Sequence, residues 1–151
     1  MTRRFNNFVL TAALLAMAGS AAALEYKSVD PALAILYDGP STKGTKKLFS
    51  LRRFTPVEVV ASASAGFTKV REPDGAMGFV ESKVLVDKRY VLVSVAKAQV
   101  RLDAQPDAAL VFEAEKGLAL ELLEPAKDGW AKVKHADGAA GLVRVMQVWG
   151  L

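Results

Sequence analysis

His135 is the chain's only histidine, and the chain has no cysteine. It lies in Lys134-His135-Ala136-Asp137-Gly138, beside a tight-turn signal. A general base or a metal ligand would need this imidazole, but no second histidine or thiol exists to complete a metal set. No serine stands near enough in sequence to suggest a nucleophile–base pair. Sixteen Asp and Glu side chains leave a carboxylate pair open to any fold. Glu58 and Glu121 fall at equivalent places in a repeat described below, and alternation along their strands assigns both to the solvent face. No phosphate-cradling glycine motif occurs, because Asp74-Gly75-Ala76-Met77-Gly78 precedes a strand rather than a helix. The residues therefore read as non-catalytic, with no cofactor and no metal.

Side chains suited to recognition are more prominent. Lys43, Lys46, Lys47, Arg52 and Arg53 are five bases within eleven residues, with no acid among them. They suit either an anionic surface or a solvated loop and strand edge. Stacking aromatics do not interleave with them, so nucleic acid is not an expected partner. The aromatic candidates are Tyr26, Tyr37, Phe67, Phe79, Tyr90, Trp130 and Trp149, each of which serves either a core or a contact surface.

These side chains must be positioned by a unit that the chain uses twice. A shift of 63 places Phe67-Thr68-Lys69-Val70 on Trp130-Ala131-Lys132-Val133. It also places Asp74-Gly75-Ala76-Met77-Gly78-Phe79-Val80 on Asp137-Gly138-Ala139-Ala140-Gly141-Leu142-Val143. Between 57–80 and 120–143, ten of 24 aligned residues are identical, which marks a repeated structural unit. Short alternating runs divided by Gly, Pro and Asp predict strands throughout, with no helical periodicity. Val57, Val59, Val70 and Val80, with Leu120, Leu122, Val133 and Val143, are the expected core. Asp74-Gly75 and Asp137-Gly138 predict hairpin turns with glycine at positive φ. Units of about 60 residues are marginal alone, so mutual packing is expected; Tyr90–Val93 suits either the shared surface or simply the opening strand of unit two.

Upstream, Arg3-Arg4, an apolar run from Phe8 to Met17 and Ala21-Ala22-Ala23 have the layout of a secretory signal peptide cleaved after Ala23. The apolar run is shorter than the roughly 20 residues of a spanning helix. Residues 24–151 would then carry eighteen Lys/Arg (twenty less Arg3 and Arg4) against sixteen Asp/Glu, a net of +2. The expected organisation is a signal peptide at 1–23, a first domain at 24–88 and a second at 89–151. The exported chain would be periplasmic, with no integral membrane span.

The pattern Gly-aromatic-x-Lys-Val, then Asp-Gly-x-x-Gly-x-Val, resembles the bacterial SH3 family. It is carried by Gly66-Phe67, Lys69-Val70, Asp74-Gly75 and Gly78-Phe79-Val80. The second copy carries it in Val100-Arg101, Pro106, Gly129-Trp130, Lys132-Val133, Asp137-Gly138 and Gly141-Leu142-Val143. The resemblance implies an all-β fold of two tandem SH3-like five-stranded β-barrels. It further implies a binding module for peptidoglycan peptides or for an envelope protein. The alternative is a structural protein whose paired barrels organise an envelope complex without a small ligand.

In family grooves the lining positions correspond here to Tyr37, Phe67 and Trp130, and Lys43, Lys46 and Lys47 border the first of them. Several positions depart from the proline-binding pattern. Ala34-Ile35-Leu36-Tyr37-Asp38 echoes the opening Ala-Leu-Tyr-Asp-Tyr pattern, but Gly39 replaces its second Tyr, and the late Pro and Tyr positions hold Glu81 and Val84, then Arg144 and Gln147. Thr68 and Ala131 replace a second aromatic. The first copy has the polar loop from Asp38 to Lys47 and the basic cluster beside Tyr37 and Phe67, whereas the second has Leu102 for Gly39 and Leu142 for Phe79, so the first is expected to carry the ligand surface and the second to be mainly a packing partner.

Overall fold

The computed structural model describes residues 23–62 and 65–151; the expected signal peptide, but for Ala23, lies outside them. The first unit contains β1 (Glu25–Val29), β2 (Leu33–Tyr37), β3 (Lys47–Arg52), β4 (Pro56–Ser62), β5 (Phe67–Arg71), β6 (Met77–Glu81) and β7 (Leu85–Val86). The second contains β8 (Tyr90–Val93), β9 (Lys97–Arg101), β10 (Leu110–Glu115), β11 (Ala119–Lys127), β12 (Trp130–Lys134), β13 (Ala140–Arg144) and β14 (Val148–Trp149). The orders β3-β2-β6-β5-β4-β1-β7 and β10-β9-β13-β12-β11-β8-β14 are the same topology used twice. Each sheet rolls around one core, because a single cluster draws on strands from across it. In the first unit this cluster is Val29, Leu36, Leu51, Val57, Val70 and Val80.

Both copies are SH3-like β domains, with two more strands each than the five expected. The chain's first run breaks at Asp30–Ala32 and again at Ser94–Ala96. A 3-10 turn (Ser82–Val84, Val145–Gln147) then leads into a two-residue strand too short for alternation to signal.

Six of the eight expected core residues are fully closed off from water. Val59 and Leu122 are only half-buried. A bulge follows each of them, between Val59 and Ala61 and between Leu122 and Glu124. A bulge bends its strand and interrupts strict alternation at that point. The expected turns are present. Gly75 (φ 90°) donates to Glu72 O at 2.9 Å, and Gly138 (φ 99°) donates to His135 O at 3.0 Å. Only the glycine of each Asp-Gly pair is left-handed. The aspartates instead accept from Ala76 N and Ala139 N, each at 2.9 Å, as Asx residues do in turns.

Glu58 corrects a sequence expectation, because it is 8% exposed rather than solvent-facing. Alternation places it on the outer face of β4, but that face is where the second unit docks. Tyr26, paired across from Glu58, meets Trp149 edge-on at 5.1 Å. Pro56, on the same face, sits against Gly150 so closely that a Cβ there would lie 2.9 Å from the proline ring. Arg71 closes the face with two hydrogen bonds to the Glu58 carboxylate, at 3.0 and 2.9 Å. The second unit repeats the arrangement. Tyr90, paired across from Glu121, stacks on Phe54 of the first unit at 4.4 Å and 17°. Tyr90 N donates to Ser28 Oγ at 3.1 Å, and Arg89 Nη2 donates to Gly150 O at 2.6 Å. Tyr90 is thus both a strand residue and an interface residue. Aromatic stacking across the seam supplies burial that two small cores without disulfides lack.

Candidate recognition grooves

Two grooves occupy the same place on the two barrels. Each forms where β6 or β13 meets β2 or β9. Tyr37 pairs with Phe79, and Arg101 pairs with Leu142. Tyr37 and Arg101 are therefore structural equivalents, offset by 64 rather than 63 because the loop that follows them, 38–46 in the first copy and 102–109 in the second, is one residue shorter in the second. Glycine permits this approach in both copies. A Cβ on Gly78 would lie 2.7 Å from Tyr37 O, and one on Gly141 would lie 2.6 Å from Arg101 O.

In the first barrel Tyr37 and Phe67 come together as the sequence suggested, edge-on with ring centroids 6.2 Å apart. They are 8% and 7% exposed, as buried as Trp130 of the second barrel, so exposure of the ring does not set the two sites apart. Across from Phe67 in the sheet stands Glu81, whose carboxylate pairs with Lys83 at 2.8 Å. That partnership holds the Lys83 ammonium above its ordinary range, with Tyr37 adding to the effect. The groove rim is thus an acid neutralised by its own neighbour.

The basic cluster does not act as one patch. Lys43, Lys46 and Lys47 are exposed at the Tyr37 end of β3. Their loop is fixed by Asp38 Oδ1, which accepts from Lys46 N at 2.8 Å, and by Ser41 Oγ, which accepts from Lys43 N at 3.0 Å. Arg52 and Arg53 stand at the opposite end of that six-residue strand. Arg53 pairs there with Asp30 at 3.1 Å.

The second barrel's groove is built from different side chains. Trp130 takes the place of Phe67 and is 8% exposed. The Arg144 guanidinium covers its ring at 5.0 Å. Such a cation–π contact uses the ring face and leaves the in-plane N–H donors of the guanidinium free. Arg101 is held from the other side, with Nη1 donating to Ala108 O at 2.6 Å and Nη2 to Gln99 Oε1. Together with Pro106 and Gln147 these residues line a cleft of about 110 Å³. Neither Arg101 nor Arg144 lies within ion-pair distance of a carboxylate among the described residues.

Sequence reasoning singled out Trp130 but not the two arginines beside it. The signal was available in the positions that departed from the proline-binding pattern, since Arg144 and Gln147 are those departures. Ala131 is fully buried, and Thr68 turns its Oγ1 to Ser82 Oγ in a shared hydrogen bond of 2.8 Å.

His135 is a turn residue, with Nδ1 2.9 Å from Asp137 Oδ1. The Asp137 carboxyl is held below its ordinary range, first by the Ala139 N–H and then by this imidazole. No cluster of three potential metal ligands occurs among the described residues. Among them, too, no helix is long and apolar enough to cross a membrane.

Residues 94–150, which include the whole second groove, match the family model of the bacterial SH3 domain. No curated protein matches the sequence. Among solved structures, the chain is similar to NlpC1 from Trichomonas vaginalis, with a TM-score of 0.40 and 15% identity over 92% of this chain and 50% of that one. NlpC2 from the same organism gives a TM-score of 0.38 and 14% identity over 84% and 48%. An NlpC/P60 family protein from Bacillus cereus gives a TM-score of 0.38 and 14% identity over 83% and 56%. The chain spans about half the length of these structures.

Proposed function

We propose that this chain, a bacterial SH3 family member through residues 94–150, is an exported, non-catalytic binding module of the cell envelope. Its ligand is a peptidoglycan peptide or an envelope protein. The observation that carries this reading is the cleft of the second barrel. There an aromatic floor, a proline wall and hydrogen-bonding side chains converge on one small concavity. Convergent polar groups over an apolar floor are what a binding site needs. Trp130, Arg101 and Arg144 serve as the contact residues. Tyr37 and Phe67 brace the first barrel, and Lys43, Lys46 and Lys47 contribute only long-range attraction, which salt screens.

Export is part of the same proposal and rests on the first 23 residues of the sequence. N-terminal sequencing of periplasmic material is expected to begin at Leu24; a start at Met1 would replace export by anchoring. Binding is tested by co-sedimentation with purified sacculi, run beside affinity capture from the envelope fraction. Retention in either assay, lost on Trp130→Ala, is the expected result. No retention in either would leave the second reading, a structural protein, which the aromatic seam between the units favours.

A further inference from the structure

We propose that the second groove is a carboxylate site, in which Arg101 and Arg144 receive a carboxylate carried on a peptide chain. The inference deepens the binding-module reading and rests on it for the groove's role, though not for its chemistry.

The first argument concerns what the cleft presents. A bare indole floor would take an apolar or proline-rich ligand. Here the Trp130 face is already covered by Arg144, so an incoming group meets guanidinium N–H donors instead. The second argument concerns orientation. Arg101 is locked by Ala108 O and Gln99 Oε1, which uses one N–H on each terminal nitrogen and leaves the rest of its donors unpaired. A guanidinium held in this way loses little further freedom on binding. A planar carboxylate accepts two parallel N–H bonds from such a fork.

The third argument is charge. Two cations share a cleft of about 110 Å³ with no acid in its lining, and no described carboxylate compensates either of them. An anion between them offsets their mutual repulsion. The fourth is the choice of a peptide over a bare inorganic anion. Gln99 and Gln147 flank the arginines, and their amide groups match the N–H and C=O of a peptide bond. Pro106 adds an apolar wall for the chain. The equivalent groove of the first barrel places Glu81, paired with Lys83, where Arg144 stands and Tyr37 where Arg101 stands, so it offers the same ligand no guanidinium.

The test is a titration followed by ¹H–¹⁵N spectra of the protein, in which two tryptophans give two indole N–H signals. The probes are N-acetyl-alanyl-alanine, with a terminal carboxylate, and N-acetyl-glutamate α-amide, with a side-chain carboxylate. N-acetyl-alanyl-alanine amide and inorganic phosphate serve as the contrasts. At least one of the two carboxylate probes is expected to shift the Trp130 indole while leaving Trp149 in place. Which of them binds more tightly distinguishes a chain terminus from an acidic side chain. The amide is expected to bind at least tenfold more weakly.

The Arg101→Gln/Arg144→Gln double variant is expected to lose at least tenfold in affinity, with the conservative Arg101→Lys/Arg144→Lys pair falling between. Unchanged core amide signals in both variants would establish that they fold. Equal binding of acid and amide overturns the proposal, as does equal binding of phosphate or wild-type affinity in the folded double variant. Sacculus retention that survives the double variant would overturn the carboxylate site while leaving the binding module standing. Trp130 shifts with the acids, but no retention by sacculi or envelope proteins, would do the reverse.

Discussion

The two grooves share a backbone and differ in charge, one neutral by internal pairing and the other cationic. Tyr37, Phe67 and a Glu81–Lys83 pair fill the first, whereas Arg101, Trp130 and Arg144 fill the second. The hydrogen-bond ladder around both is the same, and so is the glycine that lets the strands approach. What differs is whether the rim charges are satisfied internally. Glu81 has Lys83 beside it, so the rim acid of the first groove is already paired. The second holds two cations and no counter-charge, and so has an interaction left to make. A repeated fold thus carries a shared structure in its core positions and a separate identity in a handful of rim residues.

The largest expected effect tests the shared backbone. Gly78→Val and Gly141→Val should each cost about 3 kcal/mol or more, because the new side chain meets carbonyl oxygen that cannot move aside. Urea unfolding midpoints would measure this. A large loss at one glycine and none at the other would show that the grooves are built differently.

Next in size is the pair Val70→Ala and Val133→Ala, which are equivalent and fully buried. Each should lose about 1–3 kcal/mol through transfer and cavity terms. A near-zero change in either would put that strand's register in doubt.

Smaller still, and unequal, are the outer-face ion pairs. Arg71→Gln leaves Glu58 with no cation beside it and should cost about 1–2 kcal/mol, a figure reduced because the Arg71 side chain is 41% exposed. Lys134→Gln should cost less than about 1 kcal/mol, because Lys88 still pairs with Glu121 at 3.3 Å. The two lysines on Glu121 also shape the acid response of the second unit. Burial pushes the Glu121 carboxyl up, but Lys134 and Lys88 together outweigh it and hold it below its ordinary value. A carboxyl lowered in the folded state stabilises at neutral pH, and that contribution is lost as pH falls through the folded value. Removing both lysines should flatten the decline in stability below about pH 4.5, measured by thermal unfolding across pH.

The smallest effect is expected from replacing Lys43, Lys46 and Lys47 with serine. These are exposed side chains without ion-pair partners among the described residues, so stability should stay within about 0.5 kcal/mol. Sacculus or envelope-protein binding should keep most of its strength. Loss of binding here, with none on Trp130→Ala, would move the ligand surface to the first copy and reverse the comparison.

Much of this was legible in the residues. The 63-residue repeat gave the tandem architecture, because core and turn positions tolerate few residue types and so leave matching letters. Gly75 and Gly138 were readable for the same reason. Three features were not. Glu58 obeyed alternation, yet the face it points to is covered by Trp149 and Arg71, and a partner unit leaves no local pattern. Val59 and Leu122 lost their expected burial to a bulge, which depends on cross-strand register. The offset is 64 up to Tyr37 and falls to 63 in the loop that follows it, so the 63-residue shift places Tyr37 on Val100. The structure pairs it with Arg101.

The sequence alone therefore determined the number of units, their all-β character, their turns and most of their core, since each of these follows from local pattern and backbone sterics. Only the tertiary structure decided which outer face is buried and which arginines meet. Trp130 and Arg144 already face each other across the local β12–β13 hairpin, but Arg101 lies on β9 and reaches them only when β9 closes on β13. Electrostatics acts through space, so the charge of a groove is set by that closure and not by proximity along the chain.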